Sequence, residues 1–176
     1  MPTAGPIDIE ACRSFVDGRC WVAAGFIRNA IWDQLHGRSA ASWPVGDVDV
    51  VYWDPSDISP ERDAAIKKRL MACAEIPWSV RNQARMHERN GDAPYRSTED
   101  AIRHWPETAT AIAARYRGNR VEVLAPYGIE DLVNLLVRPT PAFACKQFVY
   151  RARITSEDWA RRWPGLRFEA GLPSRS

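Results

Sequence analysis

The sequence is poor in the residues that announce thiolate, disulfide or nucleophilic chemistry. Its 176 residues include four cysteines, Cys12, Cys20, Cys73 and Cys145, and three histidines. The cysteines are widely spaced and none forms a Cys-x-x-Cys pair, which argues against a zinc site or a disulfide framework. They read as small buried apolar residues. Gly-x-Ser-x-Gly, His-Glu-x-x-His and Walker-type Gly-Lys-Ser/Thr are all missing, so serine-hydrolase, zincin and P-loop chemistries have no signature here. No apolar run approaches the ~20 residues that a bilayer span needs, and no membrane partner is expected. The start, MPTAGPIDIE, has no basic stretch followed by an apolar one, so a cytosolic location is expected. A net charge of +2 does not indicate a nucleic-acid coat. No internal repeat or low-complexity segment is visible.

What is present fits a globular fold. The hydrophobic share is 45% and the charged share 26%, both ordinary for such a chain. The length predicts one domain over 1–170, with 171–176 as a frayed tail. Eight tryptophans are unusual, and they are expected to supply core and cleft walls with indole N–H groups that need partners.

The most informative stretch is Asp47-Val48-Asp49 in GDVDVVYWD. On a strand, two residues apart, the carboxylates point to one face with Cα atoms about 6.6 Å apart. Each disfavours ionisation of the other, and a divalent cation removes that conflict. An all-oxygen donor set suits Mg²⁺, as one or two ions, and paired ions can clamp the attacking and leaving oxygens of a phosphoryl transfer.

Around this pair the pattern alternates between helix and strand, which predicts an α/β (α+β) fold, a mixed sheet flanked by helices. Residues 8–17 form a short helix with Ile9, Cys12, Phe15 and Val16 on one side. CWVAA is a strand that ends at Gly25. Ile27, Ala30, Ile31 and Leu35 have helical spacing, with Gly37 as the C-terminal stop. Residues 38–46 are a loop, and a strand follows from Asp47 to Asp54. Ser59-Pro60-Glu61 starts a helix that runs to Ala74. IPWSV is a strand, followed by a polar cluster of Arg81, Asn82, Gln83, Arg85 and His87, where bidentate arginines suit phosphate. Ser97 with Asp100 starts another helix, and Pro106 begins a second one through Tyr116, with Glu107 as its first-turn acid. Gly118-Asn119 turns the chain into a strand over Arg120–Leu124. Residues 129–137 are helical up to Pro139, and 143–163 hold one or two helices. Trp78 and Trp105 read as core.

The order strand, glycine, Arg-bearing helix, Asp-x-Asp strand over residues 21–54 resembles the nucleotidyltransferase superfamily of DNA polymerase beta and the CCA-adding tRNA enzymes. Gly25-Phe26-Ile27-Arg28-Asn29 is similar to the Gly-Gly-x-Val-Arg-Asp signature of the CCA-adding group. IPWSVRNQARMHERNGDAPY, HWPETATAIAAR, APYGIEDL and RPTP resemble a bacterial nucleotidyltransferase-like family of unassigned role. The resemblance implies a nucleotidyltransferase-type mixed sheet and a reaction that moves an NMP from an NTP to an acceptor with loss of pyrophosphate. It implies Mg²⁺ on Asp47 and Asp49, with a third catalytic acid on a later, adjacent strand. Glu122 is the first choice for that acid, and Asp131 and Asp54 are the reserves. Gly25 and Phe26 would lie against the triphosphate, Phe26 standing where the family has a small residue. Arg28 would reach a phosphate or hold the Asp pair, and Arg81, Asn82 and Arg85 would complete the nucleotide site. The acceptor is a small molecule or a protein surface. The alternative is a non-catalytic nucleotide-binding or toxin–antitoxin-like module on the same fold.

Overall fold

A computed structural model describes residues 18–38 and 46–169. Five strands form a mixed sheet: β1 (Trp21–Ala23), β2 (Val48–Tyr52), β3 (Trp78–Asn82), β4 (Ala113–Arg117) and β5 (Arg120–Leu124). Their spatial order is β3-β2-β1-β4-β5. β2 and β3 are parallel, and the other three pairings are antiparallel. The flanking helices are α1 (Gly25–Leu35), α2 (Pro60–Cys73), α3 (Met86–Asn90), α4 (Thr98–Arg103), α5 (Glu130–Val133), α6 (Pro141–Ala144), α7 (Gln147–Ser156) and α8 (Trp159–Arg162). A separate parallel pair joins β6 (Leu136–Val137) to β7 (Arg167–Phe168). This is the α+β mixed sheet that the sequence predicts.

Local chemistry explains the main elements. Ser59 caps α2 by accepting from the Arg62 N–H at 3.4 Å, Pro60 opens its first turn, and Glu61 and Asp63 face its positive end. Ile66 and Leu70 then pack on Val48, Val50, Tyr52, Trp78 and Val80, one face of the sheet. Lys67, Lys68 and Arg69 are exposed. The opposite face carries Ala23, Val51 and Ala113 under Ile102 of α4. Strand alternation puts Asp49 on this second face, with Val51. The tight β4–β5 hairpin turns on Gly118 and Asn119, both with positive φ, 54° and 66°.

The tryptophans lock the helical side. Trp32 meets Trp159 and Trp163 edge-on, with ring centroids 5.7 and 5.1 Å apart. The Trp163 indole donates to Asp33 at 2.8 Å and the Trp32 indole to the Leu132 carbonyl at 3.2 Å. These contacts dock α8 and α5 onto α1, and each wholly buried ring contributes about 3 kcal/mol of apolar burial.

Three expectations are corrected. The stretch from Pro106 to Tyr116 is not a helix: its alanine-rich end is β4, a central strand. Helix propensity favours alanine, but pairing with β1 and β5 on both sides outweighs it. Residues 129–137 divide into α5 and β6, and 143–163 divide among α6, α7 and α8. The predicted helix at 8–17, most of the 38–46 loop and the 171–176 tail lie outside the described residues.

Candidate active site

β1 passes into α1 through one residue, Ala24. Its φ of 52° and ψ of −123° fall in a region that favours glycine. The turn is held by the Ala24 N–H donating to the Ile112 carbonyl at 2.9 Å and the Arg28 N–H donating to the Ala24 carbonyl at 3.1 Å. α1 therefore begins at once, with no side-chain cap among the described residues and no acid in its first turn. Its first-turn N–H groups and its positive end are suited to an anion. Ala23 lies directly opposite Asp49 in the β1–β2 register, so this helix start rises two residues beyond Asp49's neighbour.

Gly25 opens the helix without a positive φ, and a Cβ added there meets, among the described residues, only Arg28 Nη2 at 3.6 Å, an ordinary contact. The fold itself does not require glycine at this position. Phe26 packs against the α2-side core.

Asp47 is exposed and Asp49 half-buried. Burial raises the Asp49 pKa above the ordinary aspartate value, and the Asp47 charge adds to the rise. A hydrogen bond from Ser79 and the guanidiniums of Arg81 and Arg153 oppose it. Arg28 is buried beneath the helix start: Nη1 donates to Thr110 Oγ1 at 2.8 Å and Nη2 to Asn29 Oδ1 at 2.9 Å. Its guanidinium lies 4.2 Å from the Trp159 ring centroid and 4.9 Å from that of Trp32. Burial lowers its pKa to about 10, against the opposing charge of Glu107.

β3 splits the polar cluster in two. Ser79 and Arg81 pair with Asp49 and Val51, which places both on the Asp49 face, with Arg81 exposed. Asn82 belongs to the opposite, α2-side face. Its amide donates to the carbonyls of Asp54 and Asp57 at 2.7 and 2.9 Å, and its oxygen accepts from the N–H groups of Asp54 and Ala84 at 3.1 and 3.0 Å. Arg85 pairs with the buried Asp63 of α2, which also accepts from Tyr52 Oη at 2.7 Å and the Asn82 N–H at 3.1 Å. The structure thus sets Gly25 and Phe26 at the α1 start with Arg28 below and Asp49 opposite Ala23, leaves Asp47 exposed just before β2, and places Arg81 across β2 from β1, level with Trp21, its Nη1 donating to the Val80 carbonyl at 2.8 Å; Asn82 and Arg85 are committed to the α2–β3 corner.

Glu122 does not lie on a strand adjacent to β2. It sits on β5, three strand spacings away, about 14 Å. There its Oε2 accepts from Arg115 Nε at 2.6 Å, while Arg115 also caps the Trp21 ring at 4.0 Å. The sequence shows the strand but not the sheet order. The reserves are engaged as well: Asp131 with Arg138 and Thr108, Asp54 with Ser56 and Arg19. Sequence reasoning missed Arg153 and misplaced Glu107, which is wholly buried and accepts from Arg153 Nε at 2.6 Å. No signal in the sequence joins these two, 46 residues apart.

No group of three or more His, Cys, Asp or Glu able to hold a metal occurs among the described residues. Asp47 and Asp49 still form an all-oxygen pair with mutual repulsion and partial burial. That donor set fits Mg²⁺, which binds through one or two carboxylates and completes its shell with water and phosphate oxygens. No helix of the described residues is long and apolar enough to cross a membrane.

Comparison with known proteins identifies the family and the fold. A family model described as Nucleotidyltransferase matches residues 18–168. A solution structure described as revealing a CCA-adding enzyme head domain is 31% identical, with a TM-score of 0.78 and 94% of this chain and 90% of that chain covered. The Thermotoga maritima CCA-adding enzyme complexed with tRNA is 14% identical, with a TM-score of 0.58 over 92% of this chain and 38% of that one. The Bacillus stearothermophilus CCA-adding enzyme in complex with CTP is 17% identical, with a TM-score of 0.53 over 96% of this chain and 42% of that one. The chain therefore spans less than half of these last two proteins, and the likeness to them is one of fold. No curated protein matches the chain.

Proposed function

The chain belongs to the nucleotidyltransferase family, and from that we propose that it moves a nucleoside monophosphate from an NTP to an acceptor in a Mg²⁺-dependent reaction that releases pyrophosphate. The observation that supports this reading is the β1–β2 register, which pairs Asp49 with Ala23, two residues before the start of α1. The first-turn N–H groups at Gly25 and Phe26 bind the triphosphate, and the missing side chain at Gly25 lets it approach the backbone. Arg81 stands on the same face and steadies the phosphate charge. Arg28 supports the α1 turn from beneath. Asp47 and Asp49 would hold Mg²⁺, which when bound would supply charge neutralisation to the phosphates. The acceptor oxygen attacks the α-phosphorus in line. A new P–O bond forms as the bond to the β-phosphate breaks, pyrophosphate leaves, and the acceptor proton passes to water. Positioning and preorganised charge supply most of the acceleration.

The acceptor is a hydroxyl or phosphate on a small molecule or a macromolecule. The test is pyrophosphate release from each of the four NTPs with Mg²⁺, offered a small-molecule cell extract, a protein extract or tRNA lacking its 3′ end. Mg²⁺-dependent release that disappears in Asp49→Asn supports transfer. The two-acid donor set among the described residues favours a second reading, a nucleotide-binding module without turnover. NTP binding with no release in any mixture supports that module and rejects transfer.

A further inference from the structure

Glu107 carries the one buried side-chain polar atom without a hydrogen-bond partner among the described residues. Glu107 is wholly buried and spends one oxygen on Arg153 Nε, while Oε2 has no hydrogen-bond partner among the described residues. Burying a half-satisfied carboxylate is costly, and a pair kept for stability alone is often replaceable by apolar groups. The pair therefore calls for a use beyond packing.

Arg153 is linked to the start of α1 through the Trp159 ring. Its guanidinium lies 5.4 Å from the Trp159 ring centroid, and the same ring carries Arg28 at 4.2 Å. Arg28 Nη2 in turn lies 3.6 Å from where a Gly25 Cβ would stand. A short chain of contacts thus runs from the start of α1 through Arg28 and Trp159 to Arg153. The two arginines differ in freedom. Arg28 is buried with its nitrogens on Thr110 and Asn29. Arg153 is a third exposed, at 34%, with Nε on Glu107 and Nη1 on Glu157 at 3.3 Å, and Nη2 has no partner among the described residues.

We propose that Arg153 is a phosphate-binding residue of the nucleotide site and that Glu107 is the positioning residue that holds its guanidinium in place. This rests on the nucleotide reading above and adds to it a cation contributed by α7, far along the chain from the Asp pair. Fixing Nε against a buried carboxylate orients the planar fork, leaving an N–H edge for a phosphate oxygen.

The experiment is calorimetric titration of the full chain with inorganic tripolyphosphate and Mg²⁺, for wild type, Arg153→Gln, Glu107→Gln and the double variant. Arg153→Gln is expected to weaken binding about 10- to 100-fold, the scale of one charge-assisted hydrogen bond. Glu107→Gln weakens it less, and the double variant binds no worse than Arg153→Gln alone. That coupling is a readout that a merely structural glutamate would not give. Wild-type affinity in Arg153→Gln, or fully additive losses in the double variant, overturns the proposal. Arg153 is partly exposed, so its variant decides the question if the Glu107 variants do not fold. If wild type binds neither tripolyphosphate nor any NTP, the nucleotide reading fails and this proposal with it. Wild-type binding that Asp49→Asn weakens and Arg153→Gln leaves unchanged removes this proposal alone.

Discussion

Replacing Gly25 with alanine separates the needs of the fold from the needs of a ligand. Among the described residues the added Cβ meets only Arg28 Nη2 at 3.6 Å, and Gly25 has no positive φ to lose. Alanine is the better helix former, by about 1 kcal/mol in a helix interior and less in a first turn. A gain of about 0.5 kcal/mol at this chain length raises Tm by about 1–2 °C. Thermal unfolding of Gly25→Ala should therefore match wild type or lie slightly above it. The same methyl stands where the proposed triphosphate approaches the first-turn N–H groups. Displacing one charge-assisted hydrogen bond costs about 1.5–3 kcal/mol, or about 10- to 150-fold in NTP affinity. Differential scanning calorimetry and titration calorimetry on one preparation read both quantities. A Tm lowered by more than about 4 °C, or unchanged NTP affinity, would refute the reasoning.

Other outcomes follow from named groups. Ala24→Gly relieves the φ of 52° and should raise stability by about 1 kcal/mol in urea unfolding; no gain would mean that the turn is unstrained. Asp49 has its folded pKa raised, chiefly by burial, so the fold favours its protonated form. Stability then falls as pH rises from the unfolded value, about 3.9, through the raised folded value, and Asp49→Asn removes that fall. Asp49→Asn should thus be more stable than wild type at pH 7 without metal, by an excess that shrinks as pH drops through this window; a constant excess contradicts the account. Asp63→Ala leaves Arg85, Tyr52 Oη and the Asn82 N–H without their shared acceptor and should cost about 3–5 kcal/mol. Urea midpoints check this, and a loss below about 1 kcal/mol would show the corner to be dispensable.

Local chemistry was legible in the sequence where neighbours in the chain decide it. Ser59-Pro60-Glu61 starts a helix, Gly118-Asn119 turns the chain into the Arg120–Leu124 strand, and the alternation around Asp49 assigns its face, because each depends on a few adjacent residues. Sheet order depends on which strands meet after long excursions, so Glu122 on β5 could not be separated from β2 by pattern alone. Arg81 and Asn82 are adjacent in sequence yet face opposite sides of β3, and only the register shows which belongs with Asp49. The glycine signature drew attention to Gly25, while the strained backbone sits one residue earlier, at Ala24. The alanine-rich segment after Pro106 carried a helical propensity that two flanking strands override. Misreading it hid Glu107, and with it the tie to Arg153.

The central claim is that the start of α1 and the Asp47–Asp49 pair form one metal-dependent nucleotide site. Its most direct test is calorimetric titration with each of the four NTPs, with and without Mg²⁺, on wild type and on Asp47→Asn/Asp49→Asn. The account predicts Mg²⁺-dependent binding of at least one NTP by wild type and its loss in the double variant. Binding indifferent to both metal and substitution, or no binding of any NTP, would contradict it.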